Sequence, residues 1–279
     1  MSWRIAAAIA LAMLCVQAPA RASDAPAPNA RGSLPRVTVE GTANLDRETR
    51  PISDLVDALD VFERERARLA PQAQFRIRVL ARLEAADEQQ LRLELRHGSH
   101  REPIELDGLG RFAVPLAWRQ LPADAVVRSS LPKGRLAWGV DIRSPGLPEH
   151  TRRLGDLRLE CRADLYGGGL MRGLKPPAFY VLRAAADLCT SSQITFSIYA
   201  DVPVFTARLT ARRPDGDLTR ELPYNLMHGS DAGESNPLFG LLDWPYALRD
   251  RTVLWNPGRW ADWPHDALVV LEPMEAPSP

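Results

Sequence analysis

Short runs in which apolar and polar residues alternate fill much of the chain from Phe75 onward, and they confine it to β architectures. Successive strand side chains point to opposite faces, so alternation marks a strand with one face buried. FRIRVLARL (75–83), LRLELRH (91–97), GRFAVPLAW (110–118) and VVRSSLPKGRLAWGVDI (126–142) follow this pattern, and DLRLEC (156–161) is read as the last strand of the series. Asp107-Gly-Leu-Gly110 and Pro132-Lys-Gly134 supply turn chemistry between them. Five or six short strands with turns about every 8–12 residues describe a β-sandwich.

Two departures frame this region. Residues 51–71, PISDLVDALDVFERERARLAP, repeat Leu55, Leu59, Phe62, Arg66 and Leu69 at helical spacing, with Ser53 placed to cap and Pro71 to stop. That is one amphipathic helix near the N-terminus, and Arg36-Val-Thr-Val-Glu40 before it reads as a first strand. After Cys189 a second β-rich stretch begins. It has Ile194, Phe196 and Ile198 on one strand face and Phe205, Ala207, Leu209 and Ala211 on another. Pro214-Asp-Gly-Asp217 turns a hairpin, and Ala267-Leu-Val-Val-Leu-Glu272 is a near-continuous apolar strand. The expected fold is mainly β: two small sandwich-like units, residues 36–160 and 161–275, the second holding a long Pro- and Trp-rich loop.

Residues 1–22 set the compartment. Arg4 precedes an apolar run from Ile5 to Val16, and Ala20-Arg-Ala22 fits a signal-peptidase site, leaving Ser23 first. The run is too short for a span, which needs about 20 residues. A lipoprotein reading at Cys15 ranks lower because Leu14 is large where a small residue is wanted. Residues 23–35, SDAPAPNARGSLP, have the composition of a disordered leader. The expectation is a periplasmic or secreted protein with no transmembrane segment.

Export gives the cysteines their meaning. Without the signal, Cys161 and Cys189 remain, a pair in an oxidising compartment with no CxxC or CxH neighbour. A bridge closes a loop of about 29 residues and contributes roughly 3.5 kcal/mol on the chain-entropy model. The loop contains Gly167-Gly-Gly169 and Pro176-Pro177, which hold little regular structure.

Charge balances at 35 basic and 35 acidic residues, which gives no electrostatic case for nucleic acid or anionic membrane. The basic side is almost all Arg, with Lys133 and Lys175 the only lysines. The arginines run through every segment, a dispersal that reads as codon bias and not as a binding site.

The stretch PIELDGLGRFAVPL (103–116) resembles the D-x-x-G-x-F-x-x-P edge of carboxypeptidase regulatory-like, transthyretin-like β-sandwich modules of exported bacterial proteins. The resemblance covers about 80 residues and implies a small non-catalytic sandwich, commonly appended for structure or binding.

Three constellations could carry chemistry. NLMHGSDAGESN (225–236) gathers His228, Ser230, Asp231 and Glu234. It lacks the G-x-S-x-G grammar of a nucleophile elbow, and Asn, Gly, Ser and Asp make turns in any case, so a serine-type hydrolase using Ser230, His228 and Asp231 is the alternative reading. His228, Asp231 and Glu234 miss both zinc and calcium spacings, and His97, His100, His150 and His265 stand isolated on turns, so no metal or other cofactor is expected. Trp244, Trp255, Trp260 and Trp263 could stack on sugar rings, flanked by Arg259, Asp262 and His265. The reading that ranks above this is that they pin the long loop to the sandwich, since a loop of this length needs an anchor. The expected function is a non-enzymatic binding or structural module of the envelope. Carbohydrate or an envelope protein is its candidate partner.

Overall fold

A computed structural model describes residues 46–82, 89–167, 187–191, 196–212, 216–221 and 251–274. The strand expected at Arg36–Glu40, the signal expected over residues 1–22 and the 225–236 stretch lie outside the described residues. The fold is mainly β, and the described residues belong to one compact unit.

Strand β1 (Arg47–Pro51) runs directly into helix α1 (Ile52–Leu69). Ser53 does not cap it: the helix starts one residue earlier, behind Pro51, and the Ile52 amide donates to the Ala125 carbonyl at 3.0 Å. Leu55, Leu59 and Phe62 are buried as the periodicity requires.

Next come β2 (Gln74–Ala81), β3 (Leu93–His97), β4 (His100–Ile104), β5 (Arg111–Phe112), β6 (Val126–Pro132) and β7 (Leu136–Arg143). The strand expected over 110–118 shrinks to two residues and a 3-10 turn at Leu116–Gln120, because Pro115 brings no amide to a ladder. These strands make two sheets, β1-β6-β3-β4 and β5-β2-β7. The tight turn at Pro132-Lys-Gly134 passes from one sheet to the other and does not join paired strands. The two sheets and α1 enclose a first core containing Ile77, Leu93, Val127, Trp138 and Ile142.

After β8 (Thr151–Arg153), residues 154–166 form a second helix, α2 (Leu154–Tyr166), where DLRLEC was expected to be a strand. The expected boundary at 160/161 falls inside it. Leu159 and Ala163 face the first core; Leu154, Leu157, Cys161 and Leu165 face a second. That second core lies against the sheet β11-β10-β13-β8 and the pair β12-β9, with β9 (Phe196–Tyr199), β10 (Val204–Ala211), β11 (Leu218–Glu221), β12 (Thr252–Trp255) and β13 (Leu268–Pro273). In β13 only alternate residues are buried, so it is half-exposed where a fully buried strand was expected. Phe205 is 61% exposed, because a bulge between Val204 and Thr206 turns it away from the face that Ala207, Leu209 and Ala211 share.

Helices α1 and α2 approach closely at two glycines. A Cβ on Gly155 would lie 2.1 Å from the Leu69 carbonyl oxygen, and one on Gly167 would lie 2.3 Å from the Ala58 Cα. The remaining face of α2 carries Asp156, Glu160 and Asp164, one helical turn apart and all buried. They meet β7, an edge of its sheet. The amides of Val140, Ile142 and Ser144 donate to Asp164 Oδ1 (2.9 Å), Glu160 Oε1 (2.7 Å) and Asp156 Oδ2 (2.8 Å). Four helical residues rise about 6 Å and two strand residues about 6.7 Å, so the carboxylate stripe nearly matches the spacing of outward-facing amides. A helix here serves as the missing neighbour strand.

Candidate functional site

The alternation in β2 sends Phe75, Ile77 and Val79 into the first core and Gln74, Arg76 and Arg78 to the opposite face of the sheet. Across the ladder, Arg76 lies opposite Asp141, Gln74 opposite Arg143 and Arg78 opposite both Gly139 and Arg111. Three strands thus gather four arginines and a carboxylate on one face. The arginines read in the sequence as dispersed converge here, and the signal was the R-x-R of β2 and the D-x-R of β7.

Half of this face is covered. Arg78, 3% exposed, donates to the carbonyls of Tyr199 and Ala200, both at 3.2 Å, and lies 3.7 Å from Asp141 and 3.2 Å from Asp201. Gly139 leaves room for the Tyr199 ring, 3.9 Å from where its Cβ would be. Arg143 forks onto Asp141 at 2.7 and 2.9 Å and onto Asp201 at 2.6 and 2.8 Å. Burial works to raise the Asp141 carboxyl, but Arg152, Arg143 and Arg78 together bring it down to about 2. Burial also opposes Asp201, which the hydrogen bond from Arg143 holds below the usual carboxylate range. Glu160, deeper and 4% exposed, is pushed up to about 7 by burial, against the pull of Arg152. Arg152 bonds both Glu160 and, at 2.6 Å, the Ile142 carbonyl.

The other half is open. A cleft of about 250 Å³ is lined by Gln74, Arg76, Arg111, Arg143, Ser144 and Pro145, with Asp141 at its floor. It adjoins a wider recess of about 460 Å³ along residues 143–151, which shares Arg143, Ser144 and Pro145 with it. Asp107 holds the rim: its Oδ1 accepts the amides of Leu109 (2.9 Å) and Arg111 (3.0 Å), and its Oδ2 accepts Arg111 Nε (2.8 Å) and Arg76 Nη1 (3.1 Å). Burial raises the Asp107 carboxyl, but these bonds win and keep it ionised below its ordinary range. Gly110 closes this turn at φ 71°, and a Cβ there would lie 2.6 Å from the Val79 carbonyl oxygen.

Among the described residues, Trp255, Trp260 and Trp263 do not share one open ring face. Trp255 is 2% exposed in the second core and presents no ring face to a ligand. Trp260 and Trp263 pack partly buried against the same core, edge to face at 5.8 Å. Arg158 on α2 fastens their turn, donating to the carbonyls of Trp263 (3.0 Å), Ala261 (3.2 Å) and Trp260, and meeting His265 Nδ1 at 2.6 Å. Burial, and then Arg158, lower the His265 pKa. The aromatic pair anchors the turn, as large rings under a long loop do. Two of the histidines are not isolated: His97 and His100 are cross-strand neighbours in the β3–β4 hairpin, with rings 4.7 Å apart. Trp244, His228, Ser230, Asp231 and Glu234 lie outside the described residues.

Cys161 and Cys189 are bonded, with Cα atoms 5.9 Å apart, tying α2 to the 3-10 turn Leu188–Thr190. Among the described residues no three His, Cys, Asp or Glu side chains converge as metal ligands, and no helix is long and apolar enough to cross a membrane. In comparisons with known proteins, no family model, curated protein or solved structure matches the chain.

Proposed function

We propose that this chain is an exported, non-enzymatic binding module of the bacterial envelope, and that the open half of the charged sheet face is its ligand surface. The observation that carries the reading is the cleft itself. Guanidinium groups from three adjacent strands and the Gln74 amide converge on it, and they stand on a sheet whose edge is locked by α2. Sites built on strands hold their polar groups more accurately than sites on loops. Export is supported by the signal-like residues 1–22 and by the pairing of the two cysteines that remain without them. The resemblance of residues 103–116 to carboxypeptidase regulatory-like modules points the same way: Asp107 of that motif anchors Arg76 and Arg111 of the cleft, Gly110 closes the turn, and Phe112 is buried in the first core behind it.

A saccharide of the envelope is the ligand class proposed, because mixed donors and acceptors in an open, polar recess suit hydroxyl groups. Titration of the mature protein with soluble envelope polysaccharide fragments, followed by calorimetry, tests this. Saturable binding is expected, and Gln74→Trp, an exposed position on the cleft wall, should abolish it by filling the space. No saturable binding, or binding that Gln74→Trp leaves intact, contradicts the reading. Ester or peptide turnover that Ser230→Ala removes would establish the hydrolase in its place.

A further inference from the structure

We infer that the Arg76–Arg111 corner of the cleft is a subsite for an oxyanionic group on the ligand, so that the saccharide bound is an acidic one. This rests on the reading of the cleft as the ligand surface and adds to it the chemistry of what enters.

The charge on this face does not cancel. Arg76, Arg78, Arg111 and Arg143 stand over Asp107, Asp141 and Asp201, four guanidiniums to three carboxylates. The surplus is localised. Arg143 spends its fork on Asp141 and Asp201, and Arg78 is enclosed against Tyr199 and Ala200. Arg76 and Arg111 instead share one oxygen, Asp107 Oδ2, each through a single nitrogen. The Nε and Nη2 of Arg76 have no hydrogen-bond acceptor among the described residues, and neither does the Nη pair of Arg111, whose Nη1 reaches no nearer than 3.7 Å to Asp141. A guanidinium presents its donors in a rigid plane that matches carboxylate and phosphate oxygens two at a time. Two such planes splayed from a common anchor form an incomplete anion cradle.

The carboxylates nearby do not repel an incoming anion with full charge. Asp141 has each oxygen bonded by Arg143, and Asp107 is spent on Leu109, Arg111 and Arg76. Nor is Arg76 explained by stability. Its side chain is 42% exposed and makes one bond, and exposed pairs of that kind contribute little. Arg111 is fixed by its backbone and side-chain bonds to Asp107, so it is pre-organised to receive, while Arg76 is held by a single bond.

The test uses the mature protein at low ionic strength with glucuronate, glucose and inorganic phosphate, measured by calorimetry in wild type, Arg76→Gln and Arg76→Lys. Glucuronate is expected to bind at least tenfold more tightly than glucose, and to weaken at least tenfold in Arg76→Gln with an unchanged melting temperature. Arg76→Lys, which keeps the charge and loses the fork, should fall between. Affinity should drop as salt rises. Phosphate competing with glucuronate shows that any oxyanion fills the subsite; glucuronate binding without phosphate competition restricts it to carboxylates, and both support the inference. Equal affinity for glucose and glucuronate, or an Arg76→Gln variant as tight as wild type, overturns it. If polysaccharide fragments bind and Gln74→Trp blocks them while glucuronate and phosphate do not bind, the subsite fails and the wider function stands. If the anions bind through Arg76 but no polysaccharide fragment does, the subsite stands and the polysaccharide reading fails.

Discussion

Helices α1 and α2 lie against each other and differ in nearly everything else. Helix α1 buries one stripe, Leu55, Leu59 and Phe62, and leaves Glu63, Arg64 and Arg68 to solvent. Helix α2 has no solvent face to speak of. Two sides serve two cores, a third bonds the edge of β7, and Arg158 and Arg162 fasten the Trp260–His265 turn and Asp187. Hydrophobic periodicity measures the asymmetry of burial, not helicity. A helix buried on every side, with polar groups bonded inward, carries no such signal.

The comparison breaks most visibly at Glu160. At pH 8, Glu160→Ala leaves Arg152 buried without its carboxylate and the Ile142 amide without an acceptor, and should cost about 4 kcal/mol in urea unfolding. A cost below about 1 kcal/mol would mean that α2 is no more committed than α1. Gly155→Ala comes next. Its Cβ meets the Leu69 carbonyl at 2.1 Å, so the helices must separate, at about 3 kcal/mol or more by the same measurement. Reducing the Cys161–Cys189 bond should lower stability by roughly 3 kcal/mol, read as a shift of the urea midpoint with and without reductant.

The pH response sharpens the contrast further. Glu160 is raised in the fold to about 7 from an ordinary 4.5, so the folded state holds its proton more tightly. That contribution is fully present below pH 4.5 and is lost as pH rises through about 7. The Glu160 contribution to unfolding free energy should therefore decline from about pH 5 to about pH 8, against a rise from His265, whose lowered pKa acts the other way, and the difference between wild type and Glu160→Gln across that window isolates it. The smallest effect belongs to α1. Glu65, bonded to Arg68 at 2.6 Å near the surface, can become Ala at a cost of about 0.5 kcal/mol or less.

How much was legible follows from the same physics. Helix α1, the hairpin of β10 and β11, the turns at Asp107 and Pro132, and the cysteine pair were readable because each depends on local chemistry or on one buried face. DLRLEC reads as a strand because Leu157 and Leu159 alternate with polar residues, but the two leucines enter different cores and the polar residues bond inward. Phe205 was misplaced because a bulge changes the parity of β10 without a residue type to announce it. The candidate cleft was visible only as R-x-R and D-x-R. Strand register, a long-range property, is what brings Arg76 and Asp141 opposite each other and sets Arg111 beside them.

Amide exchange tests the central claim, that the carboxylates of α2 stand in for a strand beside β7 and so hold the charged face rigid. The amides of Val140, Ile142 and Ser144 lie on a sheet edge and should nonetheless exchange as slowly as that of Val79, which donates to the Gly110 carbonyl at 2.9 Å inside the sheet. Exchange of those three at the rate of solvent-exposed edge amides, with Val79 protected, would contradict it.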